Sequence, residues 1–279
     1  MPAINWEIFL NLPFNIVGLL FTYWFANKFQ AGDAKIFNSL KLRTYPHYNY
    51  KYYFENFSYV ALIITILFLP LQNTSQALYF PIAIVSIYII RICVEINDLN
   101  VTRNYKRLRY MLFEGVLLSI IALQMKFLYG QVDPIVIMAK TLGVPFRPNL
   151  KLIVNIVSFL SLFYLLIRIN EDSKSIQTKR KINSKIDILW SYCIKALIIF
   201  LFFEGATPFE ILEDYIRNSR ALFIFMMVIS FLTRLIFIEG LVYLAKFSIT
   251  KKFFGRIEIK SEKTVLAFLI ISLMVNIWS

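Results

Sequence analysis

The sequence predicts an all-α membrane protein: one domain over residues 1–279, a bundle of about eight transmembrane helices with both termini on the positive side of the membrane. Three observations lead there. The chain is 58% hydrophobic and 17% charged, where water-soluble domains run at about 45–50% and about 25%. Its apolar residues fall into segments long enough, or nearly so, to cross about 30 Å of hydrocarbon. Its basic residues alternate strictly between the connections that join those segments.

The segments read at 8–27, 56–72, 77–95, 109–129, 150–169, 187–205, 220–246 and 262–278. The opening "MPAINWEIFLNLPF" has no basic residue before Lys28, so it lacks the basic start of an export signal and is expected to stay as the first span. Trp24 closes that span, Tyr79 opens the third, Tyr129 closes the fourth, Trp190 opens the sixth and Trp278 closes the eighth, the positions expected of interfacial aromatic belts. With 8 glycines, 9 prolines and no repeat at a fixed period, one compact helical bundle is expected.

Lys and Arg number 5, 4, 6 and 6 in the first, third, fifth and seventh connections (28–51, 96–109, 168–187 and 246–263). They number 0, 3 and 1 in the second, fourth and sixth (73–76, 130–151 and 206–219). The odd connections are therefore expected in the negative compartment, cytoplasm or mitochondrial matrix.

A net charge of +13 in a soluble domain would suggest nucleic acid; here it belongs to the odd connections, and no nucleic-acid partner is expected. Cys93 and Cys193 lie inside apolar runs with no CxxC or CxxH, and His47 is the one histidine. The sequence therefore offers no ligand set for a metal site, haem or an iron–sulfur cluster. It has no GxGxxG and no phosphate-binding loop.

Ionisable residues within the segments are Arg91, Glu95, Glu114, Lys126, Lys195, Glu204, Arg234, Glu239 and Lys246. Glu95, Lys126 and Lys246 lie close enough to segment ends to reach the interface. The deeper ones are costly to bury and normally pair or line a polar path. Three of them close look-alike motifs: "LFEG" with Glu114, "LFFEG" with Glu204 and "FIEG" with Glu239. Carboxylates in a low-dielectric bundle take up and release protons in the physiological range, and several linked together make a proton path. Arg234 and Glu239, five apart on neighbouring faces, form a possible membrane ion pair; Lys195 and Glu204, nine apart, face opposite sides and answer to different partners.

The first connection contains "KIFNSLKLRTYPH", Lys35 to His47. It resembles the segment K-I-L-G-x-x-Q-L-R-K-G-P-N that follows the first span in membrane-arm subunit 1 of respiratory complex I and in its bacterial counterpart, with Lys35, Ile36, Leu42, Arg43 and Pro46 in register. Glu114 in "MLFEGV" resembles the family's fourth-helix S-Y-E-V. Tyr192 and Glu204, twelve apart, match its sixth-helix E-Y and A-E-Y. "FGRIEIKSEK", Arg256 to Lys263, echoes its last basic segment. Between the fifth and sixth helices, where the family carries a cluster of acids, this chain has "TKRKINS", with Lys179 and Lys181 near the glutamate positions.

The resemblance implies eight spans and a membrane subunit of a proton-pumping NADH:ubiquinone oxidoreductase that anchors the hydrophilic arm and helps form the quinone chamber. It assigns Glu204 and Glu114 to proton coupling, and Lys35, Arg43, Pro46 and Tyr192 to the quinone chamber or the contact with the hydrophilic arm. No cofactor is expected on the chain itself; ubiquinone would be a substrate of the whole complex. Expected partners are the other membrane-arm and quinone-module subunits, quinone and lipid. The expected place is the mitochondrial inner membrane, with a bacterial plasma membrane as the alternative; a composition rich in Ile, Phe, Lys, Asn and Tyr fits an AT-rich mitochondrial genome.

Two other readings compete. "PFEILEDYIRN", Pro208 to Asn218, resembles the segment before the arginine helix of subunit a of rotary ATP synthases, but position 224, where that arginine would fall, is Ile, and Arg234 lies ten residues later. An unrelated transporter or assembly protein is the third; transporters tend to break two corresponding helices with Gly or Pro, a pattern that is thin here.

Overall fold

The computed structural model describes residues 12–26, 50–67, 79–97, 101–130, 150–175, 181–203, 220–249 and 258–278. Among them the chain is helical except at Gly130 and Phe203, which follow two of the helix ends. The eight helices are α1 (Leu12–Phe25), α2 (Tyr50–Leu67), α3 (Tyr79–Asn97), α4 (Val101–Tyr129), α5 (Leu150–Ser175), α6 (Lys181–Phe202), α7 (Arg220–Ile249) and α8 (Glu258–Trp278).

Each helix overlaps one of the eight apolar segments, but their ends deviate in a consistent direction. At the basic connections the helices overrun the apolar sequence: α4 starts at Val101, α5 runs to Ser175, α6 starts at Lys181 and α2 at Tyr50. Neither Gly nor Pro interrupts these charged turns, so the backbone ladder continues past the apolar stretch. At the opposite end α6 stops at Phe202, short of where its apolar run ends.

At the centre is α6. Every residue from Ile186 to Phe202 is buried, as a helix that is apolar nearly all round requires. It packs against α1, α2, α3, α5 and α7; α4 closes the ring between α3 and α5, and α7 meets α1. On the outside, α8 lies in the groove between α4 and α5. Side chains tie neighbouring helices at matching ends. Asn15 of α1 donates to the Leu67 carbonyl at the end of α2 (3.0 Å), and Asn155 of α5 donates to the Tyr129 hydroxyl at the end of α4 (2.8 Å). At the other end Arg168 of α5 meets Glu262 of α8 (3.4 Å). Successive helices thus run up and down.

Gly18 makes the approach of α1 to α6 possible: a Cβ there would lie 2.8 Å from the Tyr192 ring and 3.0 Å from Phe231. The α8 helix is held by amides. Gln124 of α4 donates to the Leu269 carbonyl (3.0 Å) and accepts from Ser158 of α5 (2.7 Å), while Asn276 donates to the Gln124 carbonyl (3.2 Å).

The outward faces are apolar. Ile16, Leu20 and Trp24 are exposed on α1, Val60 and Ile64 on α2, Ile82, Val85 and Ile89 on α3, and Leu112, Val116, Leu123 and Phe127 on α4. The spacing of three or four places them on one stripe of each helix. Two segments, Leu108–Tyr129 and Ile224–Ala245, are each long and apolar enough to cross a membrane. Lys126 is exposed near the end of α4, its ammonium 3.3 Å from the Gly130 carbonyl, as an interfacial lysine would be. Trp190 departs from the belt expected of it: it is fully buried, its ring 5.6 Å from that of Tyr88. An indole on the central helix has no lipid interface to reach.

Candidate functional site

Polar side chains along α6 follow one line. Asp187, Ser191 and Lys195 are spaced i, i+4, i+8, so each is turned about 40° from the last and the three span about 12 Å of helix. All are buried: Asp187 and Ser191 at 2% exposure and Lys195 at 0%. Ions this deep require partners, and each end of the line meets them.

Asp187 accepts from the Arg91 guanidinium of α3 (3.1 Å). Through its other terminal nitrogen Arg91 pairs with Glu114 of α4. One arginine thereby joins three helices. Its planar fork can serve two carboxylates at once, which an ammonium does less well. The guanidinium also lies 5.5 Å from the centre of the Trp190 ring, a favourable placement for a cation over an indole. Beside it Tyr88 donates to the Met111 carbonyl (2.5 Å). A Cβ on Gly115 would strike the Tyr88 hydroxyl, with Cζ at 3.0 Å, so the glycine after Glu114 gives that tyrosine its room.

At the other end Lys195 pairs with Glu239 of α7 and lies 3.5 Å from the Ser191 hydroxyl. Ser191 donates to the Ile188 carbonyl (2.9 Å). Arg234, five residues before Glu239, is buried at 8% exposure. Three acids (Glu114, Asp187, Glu239) and three bases (Arg91, Lys195, Arg234) therefore share the interior. Adding or removing one proton there shifts the energy of every other member far more than it would in water.

The residues expected from sequence divide into three groups. Glu114 belongs to the Arg91 cluster. Glu239 takes Lys195 of α6 as its partner, where the five-residue spacing had suggested Arg234. Tyr192 is fully buried on α6 and donates to Asn15 of α1 (2.9 Å). Glu204, Lys35, Arg43 and Pro46 lie outside the described residues. In the sequence Arg91 and Lys195 stand out as ionisable without a role, and Asp187 does not stand out at all; the i, i+4, i+8 spacing of Asp187, Ser191 and Lys195 in an otherwise largely apolar run is the available signal. Among the described residues no three of His, Cys, Asp and Glu come together as a metal site requires.

Beyond Lys195 the helix reads "ALIIFLF" to Phe202. Phenylalanines gather around its end: Phe159 of α5 meets Phe202 (5.5 Å between ring centres) and Phe203 (6.1 Å), and Phe203 meets Phe237 of α7 (5.9 Å). The crossings are steep, 79°, 68° and 70°, the edge-to-face geometry that aromatic rings prefer.

Comparison with protein-family models, curated protein sequences and solved structures finds no match to this chain.

Proposed function

We propose that the bundle crosses a membrane eight times, with its odd connections in the negative compartment and both termini opposite. In this reading it acts as a proton-coupling membrane subunit of a respiratory NADH:quinone oxidoreductase in the mitochondrial inner membrane. The observation that carries the proposal is an inverted polarity: charged groups line the axis while Leu, Ile, Val and Phe clothe the outside. Water would favour the reverse. Buried ionisable groups in a lipid-clad bundle mark ion or proton paths.

The choice among proton-coupled membrane proteins rests on the resemblance of Lys35 to His47, Glu114 and the Tyr192–Glu204 interval to complex I subunit 1. The burial of Arg234 also counts against subunit a of a rotary ATP synthase, whose arginine must face a rotor outside its own bundle. On this reading the chain holds no redox centre. It anchors a hydrophilic arm at the basic end, where the helices overrun their apolar segments, and conveys the electrostatic consequence of quinone reduction through Glu114, Arg91 and Asp187.

Purification of the chain from its native membranes in mild detergent tests the assignment. Flavin and iron–sulfur subunits should accompany it; a ring of small rotor subunits in their place would overturn it.

A further inference from the structure

The polar line on α6 has a direction. Asp187 lies six residues from the start of α6 and Arg91 six from the end of α3, each about 9 Å along its helix from the basic connections. Lys195 lies about 12 Å deeper than Asp187. The arc of α6 that carries Asp187, Ser191 and Lys195 continues, by the same 100° per residue, through Ile198 and Phe202, where the phenylalanine cluster fills it. Among the described residues, the charged side chains on this arc therefore lie between its basic end and Lys195. At the inner limit one carboxylate oxygen of Glu239 takes Lys195, and the other is buried with no hydrogen-bond partner.

We propose that this arc is a one-sided proton entry, open from the basic end as far as the Lys195–Glu239 pair and closed beyond it by Phe159, Phe202 and Phe203. A proton from water at the basic end binds the open oxygen of Glu239. The carboxylate becomes a neutral carboxyl beside the Lys195 ammonium, the pair gains one positive charge, and the proton leaves by the way it came. The inference rests on the membrane reading above but not on the identity of the complex, so partners other than complex I subunits would leave it standing.

Silver ion, close to hydronium in size, is the probe. The full chain in sealed native membrane vesicles of either orientation, with Cys93→Ser and Cys193→Ala, receives Ser191→Cys or Ile198→Cys. The readout is the loss of maleimide labelling of the unfolded chain after silver treatment. A thiol at Ser173, in the fifth connection, marks the basic face. Ser191→Cys is nearly isosteric and should fold. It should lose labelling when silver is applied at the basic face and keep it when silver is applied at the other, while Ile198→Cys keeps it from both. Adding Phe202→Ala should make Ile198→Cys reactive from the far face. Protection of Ser191→Cys from the far face or from neither, or of Ile198→Cys with the phenylalanines intact, would overturn the proposal.

Discussion

The two halves of α6 are equally buried and chemically opposite. From Ile186 to Lys195 the helix offers the Asp187 carboxylate, the Tyr192 hydroxyl and the Lys195 ammonium to its neighbours; from Ala196 to Phe202 it offers only hydrocarbon and aromatic rings. Packing alone cannot explain the first half, because well-packed apolar side chains of similar volume usually match or exceed a buried ion pair in stability. The second half shows that this chain can build such packing on the same helix. Among the described residues of α6 the charges lie in the half nearer the basic connections, and on the proposed reading that half is the open end of the molecule and the other the closed end.

Substitutions that remove charge from the polar half should have the largest effects. Arg91→Leu leaves Glu114 and Asp187 facing each other without their shared cation, and should lower stability by about 3–5 kcal/mol, measured by unfolding in mixed micelles. Adding Glu114→Gln and Asp187→Asn should restore much of the loss; no recovery would show that Arg91 acts through packing on Trp190. Next is the pair across α6 and α7. Lys195→Met or Glu239→Leu alone should cost about 3 kcal/mol, and the two together clearly less than their sum. Additive losses would break the pairing.

In the region where α1 meets α6, Gly18→Ala drives a methyl into the Tyr192 ring and should cost about 1–3 kcal/mol. In the apolar half, Phe202→Ala should cost about 1–2 kcal/mol if the bundle lies in a membrane as proposed, less than in a water-soluble core, because lipid would remove most of the hydrophobic penalty and leave the packing loss. A loss equal to that of Arg91→Leu would erase the contrast between the halves. The smallest effect belongs to Gln124→Leu, which removes the amide clamp on α8 and should cost about 0.6 kcal/mol.

The eight helices were legible because each is a continuous apolar run set off by the charge of its connections. Their overrun at the basic end was not, since apolarity marks where a helix meets hydrocarbon and does not mark where its backbone ladder stops. At the site, depth could be read and partnership could not. Arg91, Glu114, Lys195, Arg234 and Glu239 are visibly charges in greasy sequence, but spacing within one helix relates only residues of that helix, and it directed Glu239 to Arg234. The partner in the fold, Lys195, is 44 residues away, brought near by the packing of α6 against α7. Asp187 is the first residue of its apolar segment, 187–205, and carries no signal there of a place inside the bundle. Only the longer α6, starting at Lys181, carries it into the bundle.

The central claim is that the buried charges couple proton movement to the turnover of a larger complex. Glu114→Gln tests it most directly, because the carboxamide keeps the size of the side chain and an oxygen for Arg91 while removing the ionisable group. In sealed native membranes, NADH-driven quinone reduction and proton translocation should be measured together on a normally assembled complex. The account predicts fewer protons translocated per quinone reduced; an unchanged ratio would contradict it.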